Sequence, residues 1–244
     1  MQLLPLVRMI FQRHRRRYGA RRIVEELKDM GHRCSTRRVA KLLAIQGLIA
    51  IQPKSFKPRT TDSRHTLGYS PNLLLGKKEP TRTNELVVAD ITYIPLASGI
   101  FSYLAMLMDR FSRKIIGWHL STDMTEDLVI QALRMALQQG ATTEGTIHHS
   151  DRGGQYAGSK YRKMLRRAGM RQSMSRAGNC YDNAFMESCF GTFKTEVEMT
   201  EYENHRAAIR EITEYILYYN NQRKHSSIGY LTPRQCEEQQ TRSK

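Results

Sequence analysis

The segment ELVVADITYI, residues 85–94, sets an aspartate in the middle of an otherwise apolar, β-rich run. An unpaired carboxylate among Val88, Ile91 and Ile94 would be costly to bury, so Asp90 is expected either to be hydrogen-bonded in a structural role or to face a cation. Outward from that strand, FSYLAMLMD (101–109) and RKIIGWHLS (113–121) read as two further strands, and the three together predict a meander. TEDLVIQALRMALQQ, from Thr125, reads as a helix, and GTIHHSD as a short strand ending at Asp151. The helix SKYRKMLRRAG, the strand MRQSMS and the polar loop RAGNCYDN then lead to an amphipathic helix from Asn183 to about Val197, which carries Glu187.

Three strands, helix, strand, helix, strand, helix is the order of the ribonuclease H-like α/β fold, a mixed sheet flanked by helices. Its first and fourth strands pair, which would make Asp90 and Asp151 neighbours, and a glutamate on a covering helix can complete the cluster.

The N-terminal third reads differently. Ile23, Leu27 and Met30 recur at helical spacing and Gly31 stops that helix; Ser35 caps a second one through Val39, Leu42, Leu43 and Gln46, which Gly47 ends. A further helix over residues 4–17 ends in arginines. The expected organisation is a small all-α, helix-turn-helix-like domain over 1–50 and a basic linker over 51–84, marked by Pro53, Pro58, Pro71 and Pro80. A catalytic domain over 85–200 and a helical extension over 201–244 follow.

Charge supports that division. The 244 residues carry a formal net charge of +16; up to Asn84 there are 19 Lys and Arg against 5 Asp and Glu, and in the remainder 20 against 18. A basic excess confined to one segment is the footprint of a polyanion binder, and the lack of an apolar face with aromatic anchors favours nucleic acid over a membrane surface. Thr36, Arg37, Arg38 and Lys41, near the start of the second helix, form a set able to meet base edges and phosphates of double-stranded DNA; the other reading is ordinary solvated charge.

No apolar run approaches the roughly 20 residues that cross a bilayer, and the N-terminus, apolar patch first and arginines after, reverses the order of a secretory signal. The expectation is a cytoplasmic protein. Cys34, Cys180, Cys189 and Cys236 show no paired spacing and read as isolated thiols.

Four motifs in order, ADITYI, HSDRGGQY, NCYDNAFMESCFGTFKTE and YYNNQRKHSSIGYLTP, resemble the DDE transposases of insertion sequences (OrfB type), whose catalytic core is similar to retroviral integrase. Asp151 and Glu187 are separated by 35 residues, the spacing of that family, and Lys194 stands seven residues after the glutamate. The resemblance implies a polynucleotidyl transferase that nicks element ends and joins the 3′-hydroxyl to target DNA. It implies Asp90, Asp151 and Glu187 as catalytic ligands of two divalent ions, Mg²⁺ or Mn²⁺ as substitute, which suit hard oxygen donors.

It further implies Lys194 on a DNA phosphate, with Asn183 one turn before Glu187 orienting DNA or the glutamate. The partners implied are element ends and target DNA, copies of this chain assembled on DNA in the bacterial nucleoid, and the product of an upstream reading frame joined by frameshifting. The sequence departs from the family in having Leu86 and Val87 where a tryptophan often precedes the first aspartate, and it lacks the integrase N-terminal zinc ligands. The other functional reading is a catalytically idle protein that occupies element ends through residues 1–84 and regulates transposition.

Several residues have plainer roles. Asp182 reads as a helix cap, Asp109 as a turn residue, and one of His148 and His149 as a hydrogen-bonded core histidine. Tyr215, Tyr218 and Tyr219 read as core packing, and Gly153, Gly154, Gln155 and Tyr156 as a moving active-site loop.

Overall fold

The computed structural model describes residues 3–52, 68–76, 78–140, 142–176, 184–198 and 201–242. The chain divides into two compact units, Met1–Phe56 with Gly191–Met199, and Lys57–Phe190 with Thr200–Lys244.

In the first unit α1 (Leu3–Arg13), α2 (Ala20–Asp29) and α3 (Thr36–Ile45) enclose their own core of Val7, Ile10, Phe11, Tyr18, Ile23, Leu27, Val39 and Leu43. The Ser35 hydroxyl accepts the Arg38 N–H at 3.2 Å, the expected cap. α1 stops at Arg13, short of the reading to residue 17, because Arg15 and Arg16 turn into the left-handed region (φ 48 and 63). The buried His14 ring there stacks on Tyr18 with centroids 3.7 Å apart. Met30, read as the last position of the apolar face of α2, lies beyond the helix as an exposed C-cap.

The second unit is built on a five-stranded sheet in the order β3-β2-β1-β4-β5. β1 (Leu86–Pro95), β2 (Phe101–Asp109) and β3 (Ile115–Ser121) form the predicted antiparallel meander. α4 (Glu126–Gln138), β4 (Ile147–Ser150), α5 (Gly154–Ala157), α6 (Ser159–Arg167) and β5 (Arg171–Met174) follow, with β4 parallel to both β1 and β5.

Alternation along β1 sends Val87 and Ala89 into a core with Leu128, Val129, Ala132, Leu133 and Ala136 of α4 and Tyr161 and Leu165 of α6. Val88, Asp90 and Thr92 therefore face the other side of the sheet. Gly117 lets α4 approach β3, since a Cβ there would collide with the Ala132 carbonyl oxygen.

α7 (Ala184–Glu196), α8 (His205–Asn221) and α9 (Pro233–Arg242) complete the helices. α8 is tied to the sheet by His205 Nδ1 and Ser102 Oγ at 2.8 Å and by Asn220, whose amide side chain bonds both backbone groups of Ile115 at 2.9 Å. Its Tyr215, Tyr218 and Tyr219 are buried, as read from their spacing. Within the stretch read as a linker, Ser70 Oγ bonds Gln172 Oε1 at 2.7 Å and the Leu73 N–H donates to Ser173 Oγ at 2.9 Å, polar ties to β5 that leave no apolar period in the sequence.

Candidate functional site: two aspartates at adjacent parallel strands

The β1–β4 register pairs Val87 with His148 and Val88 with His149. Continued two residues further, it sets Asp90 level with Asp151, the residue that follows β4. Level residues on paired strands project to the same face, so the register brings these two carboxylates together from positions far apart in sequence. Both are partly exposed.

Asp90 Oδ1 accepts the N–H of Ile91 at 2.8 Å, and Asp151 Oδ1 accepts the N–H of Gly153 at 3.0 Å. Gly153 keeps the approach clear: a Cβ there would stand 3.1 Å from the same Asp151 oxygen and 2.9 Å from Gln155 Oε1. Arg152 is drawn off to the side, its Nε donating to the Ser175 carbonyl at 2.7 Å and its guanidinium lying over Tyr69.

Residues 154–157, read as a loop, form the helical turn α5, because Tyr156 is buried in the core and Gln155 Nε2 donates to the Met124 carbonyl at 3.0 Å. Burial, and then the charges of Asp90 and Asp151 among its neighbours, hold the Tyr156 phenol well above its usual pKa. Its hydroxyl is buried and has no hydrogen-bond partner among the described residues.

Both β4 histidines are fully buried, where the sequence required only one to be, because β4 is covered on both faces. His148 Nε2 meets the Tyr161 hydroxyl and His149 Nδ1 meets Ser173 Oγ, each at 2.8 Å. Burial, then the neighbouring His149, pushes His148 down to about 3, so it is neutral at physiological pH.

Asp109 is a turn residue as read, 1% exposed, with Oδ1 accepting the Ser112 N–H and hydroxyl at 2.7 and 2.8 Å and Oδ2 the Asn84 N–H at 2.9 Å. Glu187 lies exposed in the first turn of α7, and Lys194 lies in the last turn of the same helix. Among the described residues no group of three His, Cys, Asp or Glu side chains is arranged to hold a metal, so the glutamate is not gathered with the two aspartates. Asp182 and Asn183 lie outside the described residues. Thr36, Arg37, Arg38 and Lys41 are exposed on α3, opposite buried Val39 and Leu43.

Comparison with known proteins agrees with this architecture. Models described as integrase core domain match residues 80–180 and 168–233, and one described as an HTH-like domain matches residues 1–56. The chain is 41% identical over 223 residues to the insertion element IS600 31 kDa protein of Shigella sonnei, covering 91% of this chain and 81% of that one. It is 38% identical over 233 residues to the transposase for insertion sequence element IS904 of Lactococcus lactis, covering 95% and 91%, and 39% identical over 229 residues to transposase InsF for IS3A of Escherichia coli, covering 93% and 79%.

Among solved structures, a chain of the simian T-cell lymphotropic virus intasome bound to PP2A regulatory subunit B56 gamma is similar with TM-score 0.55 and 13% identity, over 88% of this chain and 70% of that one. The catalytic core of BIV integrase gives 0.50 and 13%, over 66% and 97%. These two likenesses show the integrase-type, ribonuclease H-like fold. With an HTH-like domain ahead of an integrase core, and with relatives this similar over nearly its whole length, the chain belongs to the insertion-sequence transposases.

Proposed function

We propose that this transposase is a polynucleotidyl transferase that nicks the ends of its element and joins the liberated 3′-hydroxyl to target DNA, with Asp90, Asp151 and Glu187 as its catalytic carboxylates. The observation that carries the reading is the parallel register that sets Asp90 level with Asp151. Two like charges side by side and partly exposed fit a divalent cation, and hard carboxylate oxygens fit Mg²⁺, with Mn²⁺ as substitute. Asp90 and Asp151 would hold the ions together with Glu187; the ions would lower the pKa of the attacking water or 3′-hydroxyl and would neutralise the leaving oxygen.

The chain's own residues do the rest. β1 carries Asp90, the end of β4 leads directly to Asp151, and the Ile91 and Gly153 N–H groups orient one oxygen of each. The neutral phenol of Tyr156, which has both aspartates among its charged neighbours, adds no charge to compete with a cation. Lys194, seven residues beyond Glu187, returns to within about 20° of its direction on the helix and is assigned a DNA phosphate beside the scissile bond. Asn183, one turn before Glu187, is assigned to orient DNA or the glutamate.

Arg37, Arg38 and Lys41, exposed on α3, are assigned to duplex DNA at the element ends. The working form is an oligomer on DNA, together with the product of an upstream reading frame. The domain bounds that fit this reading are 1–50 for DNA binding, 51–84 for the linker, 85–200 for catalysis and 201–244 for the C-terminal helices.

The test is strand transfer on duplexes bearing the element's own ends. Asp90→Asn, Asp151→Asn and Glu187→Gln are each expected to lower joining by about a thousandfold or more while the fold survives, and chelation of divalent ions should abolish it. Full joining by any of the three would remove that residue from the site.

A further inference from the structure

The turn between β2 and β3 carries more cost than a turn needs. Asp109 ties it down, as described above, and Arg113 adopts φ 67, the left-handed region that side chains other than glycine rarely enter. Nε and Nη1 of Arg113 are buried with no hydrogen-bond partner among the described residues. Burial, then the neighbouring Arg110, draws the Arg113 guanidinium down to about 10, still cationic at neutral pH. A glycine would relieve the backbone, and a neutral side chain would relieve both the desolvation and the repulsion. Positive φ recurs at Arg15, Arg16, Asn84, Glu198 and Tyr230, so it is the two buried, unpartnered nitrogens of Arg113 that mark this turn out.

Both arginines of this turn end on one ring. The guanidinium carbon of Arg110 lies 3.5 Å, and that of Arg113 3.7 Å, from the centroid of Phe185. One face of a six-membered ring has no room for two guanidinium groups at that height, so they cover opposite faces. Arg110 is held in turn by Glu79 at 2.7 Å. Phe185 is the second residue of α7, two positions before Glu187. Two positions along a helix are 200° of rotation, so the ring and the glutamate leave α7 on nearly opposite sides, and the ring is partly buried where Glu187 is exposed.

We propose that the Arg110–Phe185–Arg113 sandwich is a positioning clamp that fixes the rotation of the first turn of α7 from behind and so sets the direction in which Glu187 projects. Attraction between each cation and the ring fixes the distance of the helix from the turn, and a ring covered on both faces cannot swing. A carboxylate two residues away then needs no contact of its own to be aimed. The clamp rests on the reading of Glu187 as the third carboxylate; none of its three residues touches the reacting atoms.

Two measurements on the full chain test it: metal-free hydrogen exchange along α7, and joining of end-bearing duplexes in Mg²⁺. Phe185→Ala should speed exchange of the Ser188, Cys189 and Phe190 amides about tenfold or more, leave β1 and β4 amides unchanged, and lower joining about ten- to a hundredfold. Phe185→Tyr should restore both, and Arg113→Lys, which keeps the charge and loses the planar stack, should fall between. The clamp is overturned by unchanged α7 exchange in Phe185→Ala, by faster exchange spread through β1 and β4, which would make Phe185 ordinary core, or by wild-type joining in Phe185→Leu. Undiminished joining by Glu187→Gln would instead refute the third carboxylate and leave the exchange result to decide the clamp alone.

Discussion

Asp109 on β2, Asp90 on the neighbouring β1 and Asp151 just after β4 are carboxylates of one sheet region in different surroundings. Asp109 is enclosed by its own turn, with three donors directed at its two oxygens, and that local neutralisation leaves nothing for a ligand. Asp90 and Asp151 come from segments some sixty residues apart, stand level, carry the same charge and stay partly exposed. Like charges set side by side raise the free energy of the folded chain unless a cation joins them. The residue type is the same in all three places. Asp109 meets three donors inside one turn, whereas Asp90 and Asp151 each accept one neighbouring backbone N–H and stand level with a second carboxylate.

The comparison can be broken most easily at its widest point. Beside the loss of joining expected for Asp151→Asn, the melting temperature of that variant should hold or rise, since it relieves repulsion rather than removing packing. Asp109→Ala should do the reverse. Three donors left facing an empty site cost about 2 to 4 kcal/mol in urea unfolding. A loss under about 0.5 kcal/mol would mean that the turn is not held by Asp109.

A smaller effect comes from His148, buried on β4. Because the folded pKa of His148 is depressed, the unfolded chain takes up the proton first as pH falls. The stability from its neutral ring is therefore present above about pH 6.5 and lost as pH falls toward 3. Unfolding free energy should drop by about 2 kcal/mol between about pH 6.5 and about pH 5, and His148→Phe should flatten that share of the slope. An equal slope in the variant would place the titration elsewhere.

Much of this was legible in the residues. The strands announced themselves as apolar runs, and an aspartate inside ELVVADITYI was conspicuous because burial and charge conflict there. The element order implies the strand pairing, which is why the sequence alone sets Asp90 and Asp151 together. Other features had no local signal. The end of α1 depends on Arg15 and Arg16 taking positive φ, which nothing in RHRRR demands. Tyr156 looked like loop because Gly153 and Gly154 precede it, and only the packing of α5 against the core showed the ring to be buried. Phe185 read as one apolar position of an amphipathic helix; its partners, Arg110 and Arg113, lie more than seventy residues earlier, and a stack of that kind has no sequence period. Glu187 stood out only through its spacing from Asp151.

The central claim is that Asp90 and Asp151 hold a divalent ion and Asp109 does not. Calorimetric titration of the DNA-free chain with Mn²⁺ tests it most directly, on the wild type, Asp151→Asn and Asp109→Asn. Mn²⁺ binding should weaken about tenfold or more in Asp151→Asn and stay unchanged in folded Asp109→Asn. Equal Mn²⁺ affinity in the wild type and Asp151→Asn would contradict it.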